Sequence, residues 1–105
     1  MQQYIYRIQP TRPSMLVQGP TAREAEVVSE HFAYLEALLD AGTVLMAGRT
    51  TNDDDRAFGI VVFVAETQAR ALEIVENDPA VRQGVMRAEL FPYRVALWSS
   101  KGPAA

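Results

Sequence analysis

The sequence predicts an α+β domain with four strands and two helices in the order β-α-β-β-α-β. Three observations carry that prediction. Short runs alternate apolar and polar residues or are apolar at strand length, two longer segments repeat apolar residues at helical spacing behind capping residues, and Gly, Pro and Asn-Asp clusters fall between them. At 105 residues the chain has room for one such domain.

Gln3 to Ile8 alternates, with Tyr4, Tyr6 and Ile8 on one side and Ile5 and Arg7 on the other, and Pro10 and Pro13 bound it as a first strand. Thr11 to Pro20 carries Pro13, Gly19 and Pro20 and reads as a long loop. Thr21 with Glu24 three residues later has the form of a capping box and opens a helix to Ala41, which Gly42 stops. Its apolar stripe is read as Val28, Phe32, Leu35, Leu38 and Leu39, with Glu26, Glu30, Glu36 and Asp40 off its centre. Thr43 to Gly48 and Ala57 to Ala65 are the second and third strands, joined by a polar hairpin loop from Arg49 to Arg56. Thr67 opens a second helix carrying Ala71, Leu72, Ile74 and Val75, which Asn77-Asp78-Pro79 ends. After a short turn from Pro79 to Gly84, the last strand runs from Val85 to Trp98, with a bend or an edge position at Pro92. This order is the split βαβ arrangement of a ferredoxin-like domain, four antiparallel strands with two helices on one face. The domain is expected over 1–98, with a flexible tail over 99–105.

Composition narrows the function classes. The chain has no cysteine and one histidine, which argues against zinc ribbons, iron–sulfur clusters, thiol chemistry and a transition-metal site. Ten Lys and Arg against thirteen Asp and Glu give a net charge of −3, without the basic excess that nucleic acid requires. Met1 to Ile8 lacks the pattern of a signal peptide, and no run of about 18 apolar residues occurs, so the expectation is a cytoplasmic protein that neither enters a membrane nor binds nucleic acid.

The third strand is apolar on both faces, Ile60, Val62 and Val64 on one and Val61, Phe63 and Ala65 on the other, and the second is read as agreeing, with Val44 and Met46 opposite Leu45 and Ala47. Two helices cover only one face of a four-stranded sheet, and an isologous second copy is the simplest cover for the other. A homodimer packed sheet to sheet is therefore expected.

His31 is the only side chain that titrates near neutral pH without help, and helical projection turns it inward. Spacing alone favours a core-edge histidine bonded to a carbonyl; a catalytic role needs a partner. Asp78 is the best candidate, at the end of the second helix on the same side of the sheet, although Asp78-Pro79 also reads as an N-cap followed by proline at the first helical position. A carboxylate bonded to one imidazole nitrogen fixes the tautomer and raises the basicity of the other. Arg12 and Arg49, at loops or strand ends, are candidates to hold an anionic substrate group, or are solvated surface residues. Asp53-Asp54-Asp55 lacks the glycine and alternation of a calcium loop and reads as a solvated hairpin.

Arg12-Pro13-Ser14-Met15, Glu30-His31-Phe32-Ala33-Tyr34-Leu35, Gly42 to Arg49, and Asn77-Asp78-Pro79-Ala80-Val81 with Gly84 together resemble the YciI-like (YCII-related) proteins, over nearly the whole chain to about Leu97. The resemblance implies a dimeric α/β barrel of ferredoxin-like subunits, related in fold to muconolactone isomerases, with an active site built on a His and an Asp that map onto His31 and Asp78. Elimination from a chlorinated aromatic catabolite is among the activities assigned in that family. Where many members carry Gly-Gly-Pro after the second strand, this chain has Ala47-Gly48-Arg49, which puts Arg49 near the expected pocket and gives no licence to carry over the substrates of other members.

Two functions are consistent with these features. One is a cofactor-free enzyme in which His31 moves a proton and Asp78 orients it, for elimination, isomerisation or hydrolysis of a small anionic or phenolic molecule. The other is a dimeric module, non-catalytic or stress-associated, that binds a small ligand without turning it over. A cofactor-independent oxygenase is supported by fold analogy only.

Overall fold

The computed structural model describes residues 1–103; of the tail expected over 99–105, Ala104 and Ala105 lie outside the described residues. The elements are β1 (Gln2–Pro10), α1 (Ser14–Gln18), α2 (Ala22–Asp40), β2 (Val44–Arg49), β3 (Gly59–Ala65), α3 (Gln68–Asn77), α4 (Pro79–Arg82) and β4 (Met86–Tyr93). They form one antiparallel sheet in the order β2-β3-β1-β4, the ferredoxin-like topology that the sequence predicts. Among the described residues no helix is long and apolar enough to cross a membrane.

The core lies between the helices and one face of the sheet. Tyr4, Tyr6 and Ile8 of β1 and Val61, Phe63 and Ala65 of β3 are buried there with Leu35, Ala71, Ile74 and Val75. Phe63 packs between the two tyrosines, its ring centroid 5.8 Å from Tyr4 and 5.7 Å from Tyr6, the latter edge to face. A second cluster of Met15, Val27, Ala80 and Val85 joins α1, α2 and α4.

Several expectations are corrected. The loop after β1 contains a single helical turn, α1, which fits between Pro13 as its N-cap and Gly19 at φ +90°, so the recurring prolines and glycines bound a helix instead of excluding one. The turn after Asp78 is likewise a helical turn, α4, with Pro79 in its first position. The last strand stops at Tyr93 and not at Trp98, because Tyr93 pairs with Gln3 and β1 begins at Gln2, leaving no strand to bond further residues. Pro92 sits on the edge strand β4, where its missing N–H costs no ladder bond. On α2 the buried positions are Val27, His31 and Leu35, whereas Phe32 and Leu39 are 63% and 52% exposed, so the stripe is rotated from the one expected.

The second strand departs most. A bulge at Leu45 breaks its alternation: Val44 pairs with Phe63 but Met46 with Val62, followed by Ala47 with Val61, Gly48 with Ile60 and Arg49 with Gly59. Directly paired residues share a face, so Val44, Ala47 and Arg49 face the helices while Met46 and Gly48 face away.

The loop carrying α1 is tied down by Arg12. Its guanidinium grips Glu24 through two bonds of 2.6 and 2.9 Å and also donates to the Ser14 hydroxyl and the Gly19 carbonyl. Glu24 in turn closes the capping box, accepting from the Thr21 N–H at 2.8 Å while its own N–H donates to the Thr21 hydroxyl. Arg12 and the Thr21 N–H hold the Glu24 carboxyl down to about 2 from its ordinary 4.5. A carboxyl lowered on folding stabilises fully above its unfolded value and loses that contribution as pH falls. Denaturant titrations from pH 5 towards pH 2 should therefore show the wild type losing stability in this window, with a shallower acid limb for Glu24→Gln.

Candidate active site

Each element brings one group to the site. Asp78 closes α3, its N–H donating to the Val75 carbonyl, and its side chain caps α4 by accepting from the Ala80 N–H at 3.0 Å. That turn buries the carboxylate completely, 0% exposed, against α2 and β1. His31 of α2, 8% exposed, places Nδ1 2.7 Å from Oδ1 and 2.8 Å from Oδ2, and the Tyr6 hydroxyl of β1 donates to Oδ2 at 2.7 Å. The two residues that the sequence paired are thus in contact.

This bonding decides the chemistry of the imidazole. The Ala80 N–H and the Tyr6 hydroxyl both donate to Asp78, which engages Nδ1 and leaves Nε2 as the ring nitrogen outside this network. Among the described residues Nε2 has no hydrogen-bond partner, and since no fully buried side-chain nitrogen or oxygen lacks one, Nε2 remains accessible. His31 lines a cavity of about 480 Å³ between α2 and the β2–β3 end of the sheet, together with Glu36, Arg49 and mostly apolar side chains such as Phe32, Leu35 and Phe58. Phe32 and Leu39, the two residues displaced from the expected core stripe, line this cavity, which accounts for apolar residues on an exposed part of the helix. Among the described residues no group of three or more His, Cys, Asp or Glu side chains is placed to hold a metal ion.

The YCII-related domain covers residues 4–94. The chain belongs to the YCII-related family. No curated protein matches it significantly. Among solved structures it is similar to the 5-chloro-2-hydroxyhydroquinone dehydrochlorinase TftG of Burkholderia phenoliruptrix, in complex with 2,5-dihydroxybenzoquinone, at 22% identity over 87% of this chain and 93% of that one, with a TM-score of 0.62. It is also similar to SnoaB, a cofactor-independent oxygenase of Streptomyces nogalater, at 17% identity over 90% of this chain and 94% of that one, with a TM-score of 0.45. The likeness to TftG is one of fold.

The two arginines of this YCII-related chain part company. Arg49 lines the cavity: the bulge in β2 turns it to the helix side, its Nε donates to the Thr50 carbonyl at 2.9 Å, and no carboxylate pairs with it among the described residues. Arg12 does not line the cavity, and its guanidinium is engaged by Glu24, Ser14 and Gly19, where it holds the loop. Tyr6 is the member of the site that sequence reasoning missed. The available signal was a phenol on the inward face of a central strand, which must find a partner when buried.

Burial first, and then the charge of Asp78, raise the Tyr6 phenol far above its ordinary 10.0. Tyr34, bonded to the Ile74 carbonyl, is raised too, chiefly by burial. A phenol that ionises only in the unfolded chain stabilises the fold fully below the unfolded value and progressively less as pH rises above it, by roughly 1.4 kcal/mol per pH unit for a buried group. Urea unfolding above pH 10 should show this falling limb, and Tyr6→Phe should flatten it, with Tyr34 retaining a part.

Proposed function

We propose that this YCII-related protein is an acid–base enzyme that works without a cofactor on a small, largely apolar molecule bearing a weakly acidic or anionic group, by elimination, isomerisation or hydrolysis. One observation carries the reading: a buried imidazole has one nitrogen held by a fully paired carboxylate and the other open to an apolar cavity. In this scheme Nε2 takes a proton from substrate carbon or oxygen, the charge of Asp78 stabilises the imidazolium, and the proton returns to the leaving group or product. Arg49, with guanidinium nitrogens to spare at the cavity wall, anchors the anionic or phenolic oxygen. The apolar lining keeps water away from the base and strengthens each of these charge interactions. A dihydroxyquinone of the kind bound by TftG has this chemistry and is a rational first ligand.

The base can be tested without knowing the substrate. The ring of 5-nitrobenzisoxazole opens when a base removes its carbon-bound proton and the N–O bond breaks, releasing a coloured cyanophenolate. Wild-type protein should speed this elimination by about 10²-fold or more over the same buffer, the usual contribution of a positioned base. His31→Gln should lose that acceleration; equal rates for the two proteins would remove His31 as the base.

The assembly belongs to the same proposal. The sheet face away from the helices carries a cross-strand row of Met46, Val62, Ile5 and Phe91, with Ile60, Val64 and Tyr93 beside it. Met46, Phe91 and Tyr93 are each 40% exposed or more, and a second copy across this face is the cover it calls for. A cytoplasmic setting fits a chain that has no cysteine to protect or pair. Light scattering at micromolar concentration should give the mass of two chains, and Ile60→Glu should give one; a wild-type mass of one chain would remove the dimer.

A further inference from the structure

We propose that Tyr6 is a positioning residue that fixes the tautomer of His31, opposing a proton on Asp78 and so placing the imidazole hydrogen on Nδ1 and the lone pair on Nε2. The inference rests on His31 as the base for its catalytic meaning, but its physical content stands apart from any substrate.

A buried Asp–His pair has two neutral arrangements of one proton. In the first the carboxylate is ionised, Nδ1–H donates to it and Nε2 is a base. In the second the carboxylic acid donates to Nδ1 and the hydrogen of the ring sits on Nε2, which then has no lone pair to offer. The groups around the carboxyl decide between them. A proton on Oδ1, 2.7 Å from Nδ1, would leave the Ala80 N–H, 3.0 Å away, donating to the hydroxyl oxygen of an acid. A proton on Oδ2, 2.8 Å from Nδ1, would leave the Tyr6 hydroxyl, 2.7 Å away, in the same weakened position, and Tyr6 is the side-chain donor of the two.

Tyr6 acts through the strength of that bond. A hydroxyl donates far more strongly to a carboxylate oxygen than to the hydroxyl oxygen of an acid, so each such donor favours the ionised form. The phenol could reverse its role and accept only if its own hydrogen found another acceptor. Tyr6 is 0% exposed and its hydroxyl has no other partner among the described residues. Its place is set by the register of β1, where Tyr6 pairs with Val61 and Leu90 in the centre of the sheet, and by the edge-to-face contact with Phe63. The donor is therefore held by the sheet and does not follow the movements of α2.

His31 is the only histidine in the chain, so its ring nitrogens can be read without ambiguity by ¹⁵N NMR. In neutral wild-type imidazole, Nδ1 should give the protonated and Nε2 the unprotonated signal, with the Asp78 carboxyl carbon at its ionised position. In Tyr6→Phe the share of the Nε2–H tautomer should rise severalfold, with the Asp78 carbon moving towards the acid. A folded Tyr6→Phe whose ring signals match the wild type would overturn the proposal. Should that variant not fold, the wild type decides: a protonated Asp78 or an Nε2–H ring overturns it, and a slowly exchanging Tyr6 hydroxyl proton with close contacts to an ionised Asp78 and an Nδ1–H ring supports it. The outcomes separate from those of the elimination assay. A tautomer that follows Tyr6 in a protein with no elimination activity defeats the enzyme and leaves the positioning role, while activity with an unmoved tautomer does the reverse.

Discussion

A carboxylate without solvent must find its hydrogen bonds inside the protein or cost several kcal/mol, and the architecture around the site follows from how Asp78 meets that demand. Its hydrogen-bond partners come from three places far apart in sequence: Tyr6 on β1, His31 on α2 and the Ala80 N–H at the start of α4. The residue is also the hinge of the chain, its N–H closing α3 and its side chain opening α4, with Pro79 at the one helical position that needs no N–H. Folding the backbone turn and burying the charge are therefore one event. The same fact makes the pair chemically asymmetric, because a carboxylate occupied by Tyr6 and Ala80 has only its remaining acceptor capacity for the imidazole.

The cavity has a separate cause, in the second strand. One extra residue at Leu45 exchanges the faces of everything after it, so small Ala47 and charged Arg49 look towards α2, where an unbroken strand would have put Met46 and Gly48. Packing on the neighbouring strand is close: a Cβ on Gly59 would lie 3.1 Å from Ile8 Cγ1 and 3.3 Å from the Gly48 carbonyl oxygen, so a side chain here would require its neighbours to give by a few tenths of an ångström. Small groups at the strand ends, with Phe32 and Leu39 of α2 left without core partners, create an apolar space that the helix does not fill. His31 is the point where this space touches the buried charge.

These two causes differ in how much of them the sequence displays. Strand alternation, the Thr21–Glu24 capping box, Gly42 after α2 and the Asp78-Pro79 cap are local signals, each read from a few neighbouring residues, and the fold and the His31–Asp78 pair rest on them. A bulge is invisible to a period of two, because Val44-Leu45-Met46-Ala47 is apolar on both parities and either register buries something. The rotated stripe of α2 has a related origin: Phe32 and Leu39 are apolar for the cavity, and periodicity does not distinguish a cavity wall from a core. Arg12 and Arg49 looked alike because both stand at loop ends. Only long-range contacts, the grip on Glu24 in one case and the bulged register in the other, separate them. Tyr6 was hidden by its own suitability for the core, since nothing in a Tyr-Ile-Tyr strand says which phenol meets a charge.

The two apolar surfaces, the cavity and the sheet face away from the helices, meet at the end of β2 and β3. Gly48, Phe58 and Ile60 border the cavity, and Gly48 and Ile60 stand on the sheet face away from the helices, where the Arg7 guanidinium also lies 4.6 Å over the Phe58 ring. A second copy seated on that face would therefore come up to the cavity mouth and not to a remote wall. Closing the mouth with apolar surface removes water from around Arg49 and from the approach to Nε2, and both the anion contact and the imidazolium–carboxylate attraction gain strength as the local dielectric falls. In the proposed dimer the apolar face of the sheet and the apolar space beside His31 would be covered by the same contact.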